Sequence, residues 1–264
     1  MTSHLASLAH RIAGPPGAPW VTFVPGIGNT TDFWAEQAAA LADRYRVLRF
    51  DPWGHGDSPP PPADCTFATM VEGLVALWDS LGITRSHLVG LGFGGSLALA
   101  LALAIDHAHR VGKVVACCCR PRQPDDRREF WRDRRARAAD IGIEAITAMT
   151  VDRWLSADFR AAHPDKDAQL RTAMNRTTLA GYQAYVSAFI EMDFTDRLGT
   201  ISVPVQLVAA EHDHGGGPVP AMEAMARTIP GARLTVIPDA GHIVAAEAPD
   251  ALRAIIAGFL DQPG

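Results

Sequence analysis

The segment Gly90-Leu91-Gly92-Phe93-Gly94-Gly95 follows an apolar run and opens a helical one, with small residues two before and two and three after its central position. A sharp strand-to-helix turn of this composition lifts its central side chain above a sheet, and the small neighbours keep the two elements from colliding. Such a turn serves nucleophilic attack on a carbonyl, and the residue expected at its centre is serine. Here the centre is Gly92, which has no side chain to attack with. Two other residues fit the same chemistry. His242, in Asp239-Ala240-Gly241-His242, lies just beyond an apolar run ending at Ile237 and is the general-base candidate. Asp213, in Ala210-Glu211-His212-Asp213, leaves another such run and would orient the imidazole and stabilise its protonated form, with Glu211 the nearest competitor. In Val24-Pro25-Gly26-Ile27-Gly28 the glycines let backbone N–H groups approach a ligand oxygen. The N–H groups of Ile27 and Phe93 form a candidate oxyanion hole that needs no side chain at position 92.

Plainer readings stand beside these. A single histidine among ten is commonly a surface or structural residue, Asp213 alone fits a helix cap, and the glycines at 26 and 28 fit a tight turn. Gly90-x-Gly92-x-x-Gly95 also matches the dinucleotide-binding pattern. That fingerprint sits on a first strand with an acidic residue about 20 positions on. Here two strands precede it, and the next one ends in Cys117-Cys118-Cys119-Arg120. No motif asks for a cofactor. The four cysteines, three of them consecutive and Cys65 apart, fit neither a disulfide framework nor paired zinc ligands, so reduced thiols and no metal are expected.

These residues must be positioned by a sheet. Apolar segments at Trp20 to Val24, Val47 to Phe50, His87 to Leu91 and Lys113 to Cys119 read as inner parallel strands. Between them Phe33 to Ala42, Thr69 to Leu81 and Gly95 to His107 carry apolar residues at helical spacing. Alternation stops near residue 120, and Arg120 to Thr195 reads as helical throughout. It resumes with a strand at Val205 to Ala209, a helix at Pro220 to Thr228, a strand at Arg233 to Ile237 and a helix at Asp250 to Leu260. The expectation is an α/β core over 1–119 and 196–264, mostly parallel, interrupted by a helical cap over 120–195.

The chain has 264 residues, 48% hydrophobic and 20% charged, which is ample for one large core and excludes disorder. A net charge of -5, from 24 basic against 29 acidic residues, gives no cationic field for nucleic acid or an anionic membrane. The longest apolar run, Leu97 to Ile105, is about half of the roughly 20 residues a membrane-spanning helix needs. Met1 to Gly14 does not read as a secretory signal, so a cytoplasmic location is expected. Arg120 to Arg137 holds eight arginines against four acidic residues. Because it opens the cap, one or two of them are expected to pair with a substrate carboxylate.

Taken together, Pro25 to Trp34, Asp51 to Ser58, Gly90 to Gly95, Gly199 to Asp213, Ile229 to Pro249 and the cap segments Thr150 to Phe159 and Gly181 to Asp193 resemble the α/β-hydrolase superfamily. The chain order of turn, acid and histidine is the order of that superfamily. Within it the chain resembles the bacterial 3-oxoadipate enol-lactonase type. The resemblance implies an α/β-hydrolase fold and hydrolysis of a small ester or lactone by serine attack, an acyl-enzyme, and release by water. Trp53, Trp131, Arg132, Arg135 and Trp154 are the expected substrate contacts. This sequence departs at Gly92, at Trp53 where arginine is common, and at Pro25 where histidine or asparagine is common. Asp51 to Ser58 itself reads as a structural turn, and His55 as structural. Three explanations of Gly92 stay open: a substitution in a lactonase-like hydrolase, His/Asp chemistry that needs no serine, and a relative that binds ligand without catalysis.

Overall fold

A computed structural model describes residues 8–262. Residues 1–7, the first half of the segment read above as lacking a secretory signal, lie outside the described residues. The elements run β1 (His10–Ala13), β2 (Trp20–Val24), α1 (Ala35–Ala39), β3 (Arg46–Phe50), α2 (Phe67–Ser80), β4 (Ser86–Leu91), α3 (Phe93–Leu103) and β5 (Val111–Cys117). Then come α4 (Asp125–Trp154), α5 (Ala157–Ala162), α6 (Pro164–Asn175), α7 (Leu179–Glu191), β6 (Val205–Ala210), α8 (Val219–Thr228), β7 (Arg233–Ile237), α9 (Val244–Glu247) and α10 (Pro249–Leu260).

Seven strands form one sheet in the order β1-β3-β2-β4-β5-β6-β7, with β1 antiparallel to β3 and every other pair parallel. All six strands expected from the sequence form within two residues of their expected bounds. The added one, β1, is four residues with the burial of an edge strand, too short and too polar to show a period. Side chains alternate across the sheet as strand geometry requires. Val114 and Ala116 of β5 join Leu207 and Ala209 of β6 under α2, α3 and α8, while Val115, Cys117, Val208 and Ala210 join the opposite core under α1 and α10. Helix α3, FGGSLALALAL, is apolar all round and buried along almost its whole length.

Helices α4 to α7 are inserted between β5 and β6 and keep a small core of their own from Ala138, Ile146, Met174, Tyr182, Val186 and Ile190. Helix α4 is broken at Gly142 (φ 80°, ψ 167°), and its limbs fold back on each other: Arg134 donates to the Ile146 carbonyl at 3.1 Å and also to Thr150 Oγ1. The inserted helices are fastened to the sheet at one corner. Gly54 (φ 69°) passes so near Gly181 that a Cβ on it would lie 2.5 Å from the Gly181 Cα. The Thr178 N–H donates to the Gly54 carbonyl at 2.7 Å, and the Gly56 N–H to the Arg176 carbonyl at 3.0 Å. Among the described residues no helix is long and apolar enough to cross a membrane.

Candidate active site

The turn after β4 is built by close backbone contact. A Cβ on Gly90 would lie 2.3 Å from the Gly94 carbonyl oxygen, and one on Gly94 would lie 2.2 Å from that of Val24. Only glycine fits either place, which is the physical content of the small-residue pattern. Gly92 stands at the apex with φ 58° and ψ -121°, a conformation that side chains disfavour. A Cβ there would meet one group, the His242 imidazole, at 3.2 Å from Nε2 and 3.4 Å from Cε1. A serine hydroxyl bonded to Nε2 needs its Cβ about 3.5 Å away, from an O–H···N distance of about 2.8 Å. The imidazole thus stands within a few tenths of an ångström of the place a serine partner would occupy.

His242 follows β7 and Asp213 follows β6, both at the carboxyl edge of the sheet. His242 Nδ1 bonds Asp213 Oδ2 at 3.0 Å, with the carboxylate fully buried. Asp213 Oδ1 also accepts the N–H groups of Gly215 (2.9 Å) and Gly216 (2.8 Å), and Oδ2 that of Gly217 (2.8 Å). Burial alone would raise its pKa, but the imidazole and the Gly216 and Gly217 amides outweigh burial and hold the carboxyl well below its ordinary value. The Gly215–Gly217 loop also supports the ring from behind: a Cβ on Gly216 would lie 2.1 Å from His242 Cε1. Glu211, the competitor for the acid role, is exposed and instead accepts the Asp239 N–H at 3.1 Å. Glu247, nearby, is pushed up by burial against the Ile243 and Gly241 amides and His242, which pull it down.

A cavity of about 380 Å³ lies over this edge. Its floor includes Ile27, Gly92, Phe93 and His242, and its roof Arg127, Trp131, Arg153, Trp154 and Phe189. Neither the Ile27 nor the Phe93 N–H donates to a carbonyl among the described residues, and Phe93 begins α3, whose dipole is positive at that end. The Trp154 ring lies 6.2 Å from the imidazole, centroid to centroid.

Three expected contacts lie elsewhere. Trp53 is 1% exposed and does not line the cavity; its ring packs on Gly73 of α2, where a Cβ would come within 2.4 Å of it. The Asp51 carboxylate curls this loop by accepting the N–H groups of Thr31 (2.6 Å) and Asp57 (2.9 Å). His55 is fully buried in the same loop, bonded to the Trp53 carbonyl at 2.9 Å. Arg132 is exposed, and Arg135 donates to Ser187 Oγ at 2.7 Å; neither lines the cavity. Positions 127, 131 and 134 share the inner face of α4 by helical spacing, and 132 and 135 fall off it.

The cavity arginines are Arg127 and Arg153. Arg153 lies 5.0 Å over the Phe130 ring and 5.4 Å over that of Trp131, although 130 and 153 would be about 34 Å apart on a straight helix. Burial, then Arg134 and Arg127, lower Arg153 to about 10, so it stays charged at neutral pH. Arg127 donates to the carbonyls of His214 (2.8 Å) and Gly215 (3.1 Å). Sequence reasoning missed Arg153 because the signal, a glycine inside a helical pattern at 142, was not read as a reversal.

Cys118, Asp213 and His242 bring potential metal ligands within 4.8 Å of one another. They do not fit a cation, since the four lone-pair directions of the Asp213 carboxylate already accept three amides and the imidazole. Burial also drives the Cys118 thiol far from its thiolate. Glu211, His212 and Asp239 form a second such group, all exposed, of which His212 alone lines the cavity.

Residues 19–249 match the family model described as alpha/beta hydrolase fold. RutD of Caulobacter sp. (strain K31), a protein named for carbamate hydrolysis, is 31% identical, the match covering 96% of this chain and 95% of RutD. The 3-oxoadipate enol-lactonase 1 of Acinetobacter baylyi is 28% identical over 96% of this chain and 93% of its own. Among solved structures, the enol-lactonase from Burkholderia xenovorans LB400 superposes with a TM-score of 0.91 at 32% identity, covering 97% of this chain and 96% of that one. An esterase from Thermogutta terrifontis, solved with malate bound, gives 0.87 at 29%, covering 96% and 92%. With the family model matching over residues 19–249, the chain belongs to the α/β-hydrolase fold family.

Proposed function

We propose that this chain acts on a small ester or lactone bearing a carboxylate, and that it does so without a covalent acyl-enzyme. One observation carries the reading: an imidazole oriented by a buried carboxylate, two unengaged backbone amides and two arginines line one cavity around an apex with no hydroxyl. Arg127 and Arg153 take the carboxylate. The Ile27 and Phe93 amides take the carbonyl oxygen as it gains charge. His242 Nε2 removes a proton from water as the water oxygen attacks the carbonyl carbon, then returns the proton to the departing oxygen. Asp213 holds the ring in the tautomer that leaves Nε2 free and stabilises the imidazolium. Loss of the serine costs on the order of a millionfold in kcat in a well-studied hydrolase, with roughly a thousandfold over water surviving, so turnover by this route is slow.

The enol-lactonases at 28% and 32% identity support the substrate class, and the malate-bound esterase supports an anionic ligand. A second reading uses the same groups: Nε2 removes a carbon-bound proton beside the carbonyl, and the two amides hold the enolate oxygen. The absence of a hydroxyl at the apex favours it, since proton abstraction needs no nucleophile.

The test is a panel of enol-lactones and short esters run side by side on this chain and on Gly92→Ser. Strong hydrolysis created by the serine, with an acyl-enzyme burst, supports the ester and lactone pocket. Hydrolysis by the parent chain that His242→Ala abolishes supports the direct attack of water, and a His242-dependent exchange of a carbon-bound proton without hydrolysis replaces it with proton abstraction. Ligand binding with neither activity leaves a binding protein.

A further inference from the structure

Arg120 opens the arginine-rich stretch that leads into the inserted helices, yet it does not line the cavity. Its backbone is anchored to α3. The fully buried Ser96 donates its Oγ–H to the Arg120 carbonyl at 2.7 Å and its N–H to the Gly92 carbonyl at 3.1 Å. Its side chain goes to the acid loop instead, where Arg120 Nε donates to the Gly216 carbonyl. Glycine makes the approach possible: a Cβ on Gly217 would lie 2.3 Å from the Cys119 nitrogen, and one on Gly216 2.9 Å from the Cys118 carbonyl oxygen. Arg120 therefore spans from the helix that begins beside the apex to the loop that follows Asp213.

The Gly216 carbonyl and the Gly217 N–H belong to one planar peptide, so fixing the first aims the second. The Gly217 N–H donates to Asp213 Oδ2 at 2.8 Å, and that same oxygen bonds His242 Nδ1 at 3.0 Å. The preceding N–H, of Gly216, donates to Asp213 Oδ1 at 2.8 Å, and a Cβ on Gly216 would overlap the imidazole. A charged donor on a peptide carbonyl also polarises the unit and strengthens the N–H at its other end. The guanidinium is kept here against opposition: burial and Arg127 pull its pKa below the ordinary value, while Asp213 and Asp126 pull it up.

Resting on the reading of Asp213 and His242 as the acid–base pair, we propose that Arg120 is a positioning residue for that pair. Its guanidinium fixes the 216–217 peptide, whose N–H holds the carboxylate oxygen that orients the imidazole. Arg120 itself touches no substrate. Its effect belongs to the alignment of the base with the apex, where small displacements cost rate rather than affinity.

The experiment has two arms. In the unmodified chain, Arg120→Met should speed hydrogen exchange of the Gly216 and Gly217 amides at least about tenfold, the worth of a charged hydrogen bond, and leave the sheet amides of Val115 and Leu207 unmoved. Arg120→Lys, which keeps a cationic donor, should restore slow exchange; Arg120→Gln serves as the neutral variant if the methionine variant melts early. In the Gly92→Ser background, Arg120→Met should lower kcat for an aryl ester at least about tenfold with KM within about twofold, and Arg120→Lys should recover most of the loss. Unchanged exchange, exchange that quickens equally in the sheet, a rise in KM without loss of kcat, or no recovery by lysine overturns the proposal. If the serine variant hydrolyses nothing, the ester and lactone reading falls, and exchange with its lysine rescue decides the role of Arg120.

Discussion

The floor and the roof of the cavity are held in place by different means. On the floor, Gly92, His242 and Asp213 sit immediately beyond strand ends, and glycine contacts at 90, 94 and 216 set their positions to a few tenths of an ångström. On the roof, Arg127, Trp131 and Arg153 reach the cavity from two limbs of a helix folded back at Gly142. The floor carries groups whose chemistry tolerates no displacement. The roof carries long side chains that adapt to what is bound. The apex carries no hydroxyl while the imidazole, its carboxylate and the two amides are in place around it, so the two halves can be perturbed separately.

The largest effect expected comes from restoring the floor. Gly92→Ser should raise ester or lactone hydrolysis by at least about a hundredfold, since a missing nucleophile costs on the order of a millionfold in a comparable enzyme; initial rates on an aryl ester read it directly. A gain below tenfold would mean that the floor is not the intact half. The roof comes next. Arg153→Gln should weaken an anionic ligand such as succinamate about tenfold to a hundredfold, the worth of a charged hydrogen bond, while Arg132→Ala changes affinity less than twofold. Equal losses in both would show that general charge, not position, attracts the ligand.

Gly216→Ala tests the support behind the imidazole. Its Cβ would overlap the ring at 2.1 Å, so the variant should lose about 1–3 kcal/mol of stability in urea unfolding. In the Gly92→Ser background it should lose activity as well. The pH dependence is smaller. The Asp213 carboxyl lies below its ordinary value near 3.8 in the folded chain. Its contribution is therefore full above that value and drains away as pH falls through the lower, folded one. Melting curves should place Asp213→Asn below the parent at pH 7, with the gap narrowing by pH 3. Strain at the apex is read by stability alone: Gly92→Ala, at φ 58°, should cost about 1–3 kcal/mol with no chemistry gained.

The same contrast explains what the sequence disclosed. The inner strands are short, fully buried and bounded by turn residues, so their period and length show plainly, and residues placed by a strand end inherit that clarity. His242 and Asp213 were found in this way, and they do meet in space. The antiparallel strand His10–Ala13 was missed because four residues at an edge carry no pattern. Arg153 was missed because its place depends on a chain reversal that one glycine, amid helix formers, hardly signals. Arg132 and Arg135 were chosen by proximity in sequence, whereas a turn of 3.6 residues sends them off the inner face. Trp53 was drawn toward the cavity by its place after a strand, but the hydrogen bonds of Asp51 curl that loop and seat the indole on Gly73.

The backbone crossing of Gly54 over Gly181 sets how closely the helical roof can sit on the sheet. The two backbone stretches touch with no side chain between them, so a bulky residue at either glycine would push the roof off the sheet at that corner and pull against the Arg127 clasp on the His214 and Gly215 carbonyls.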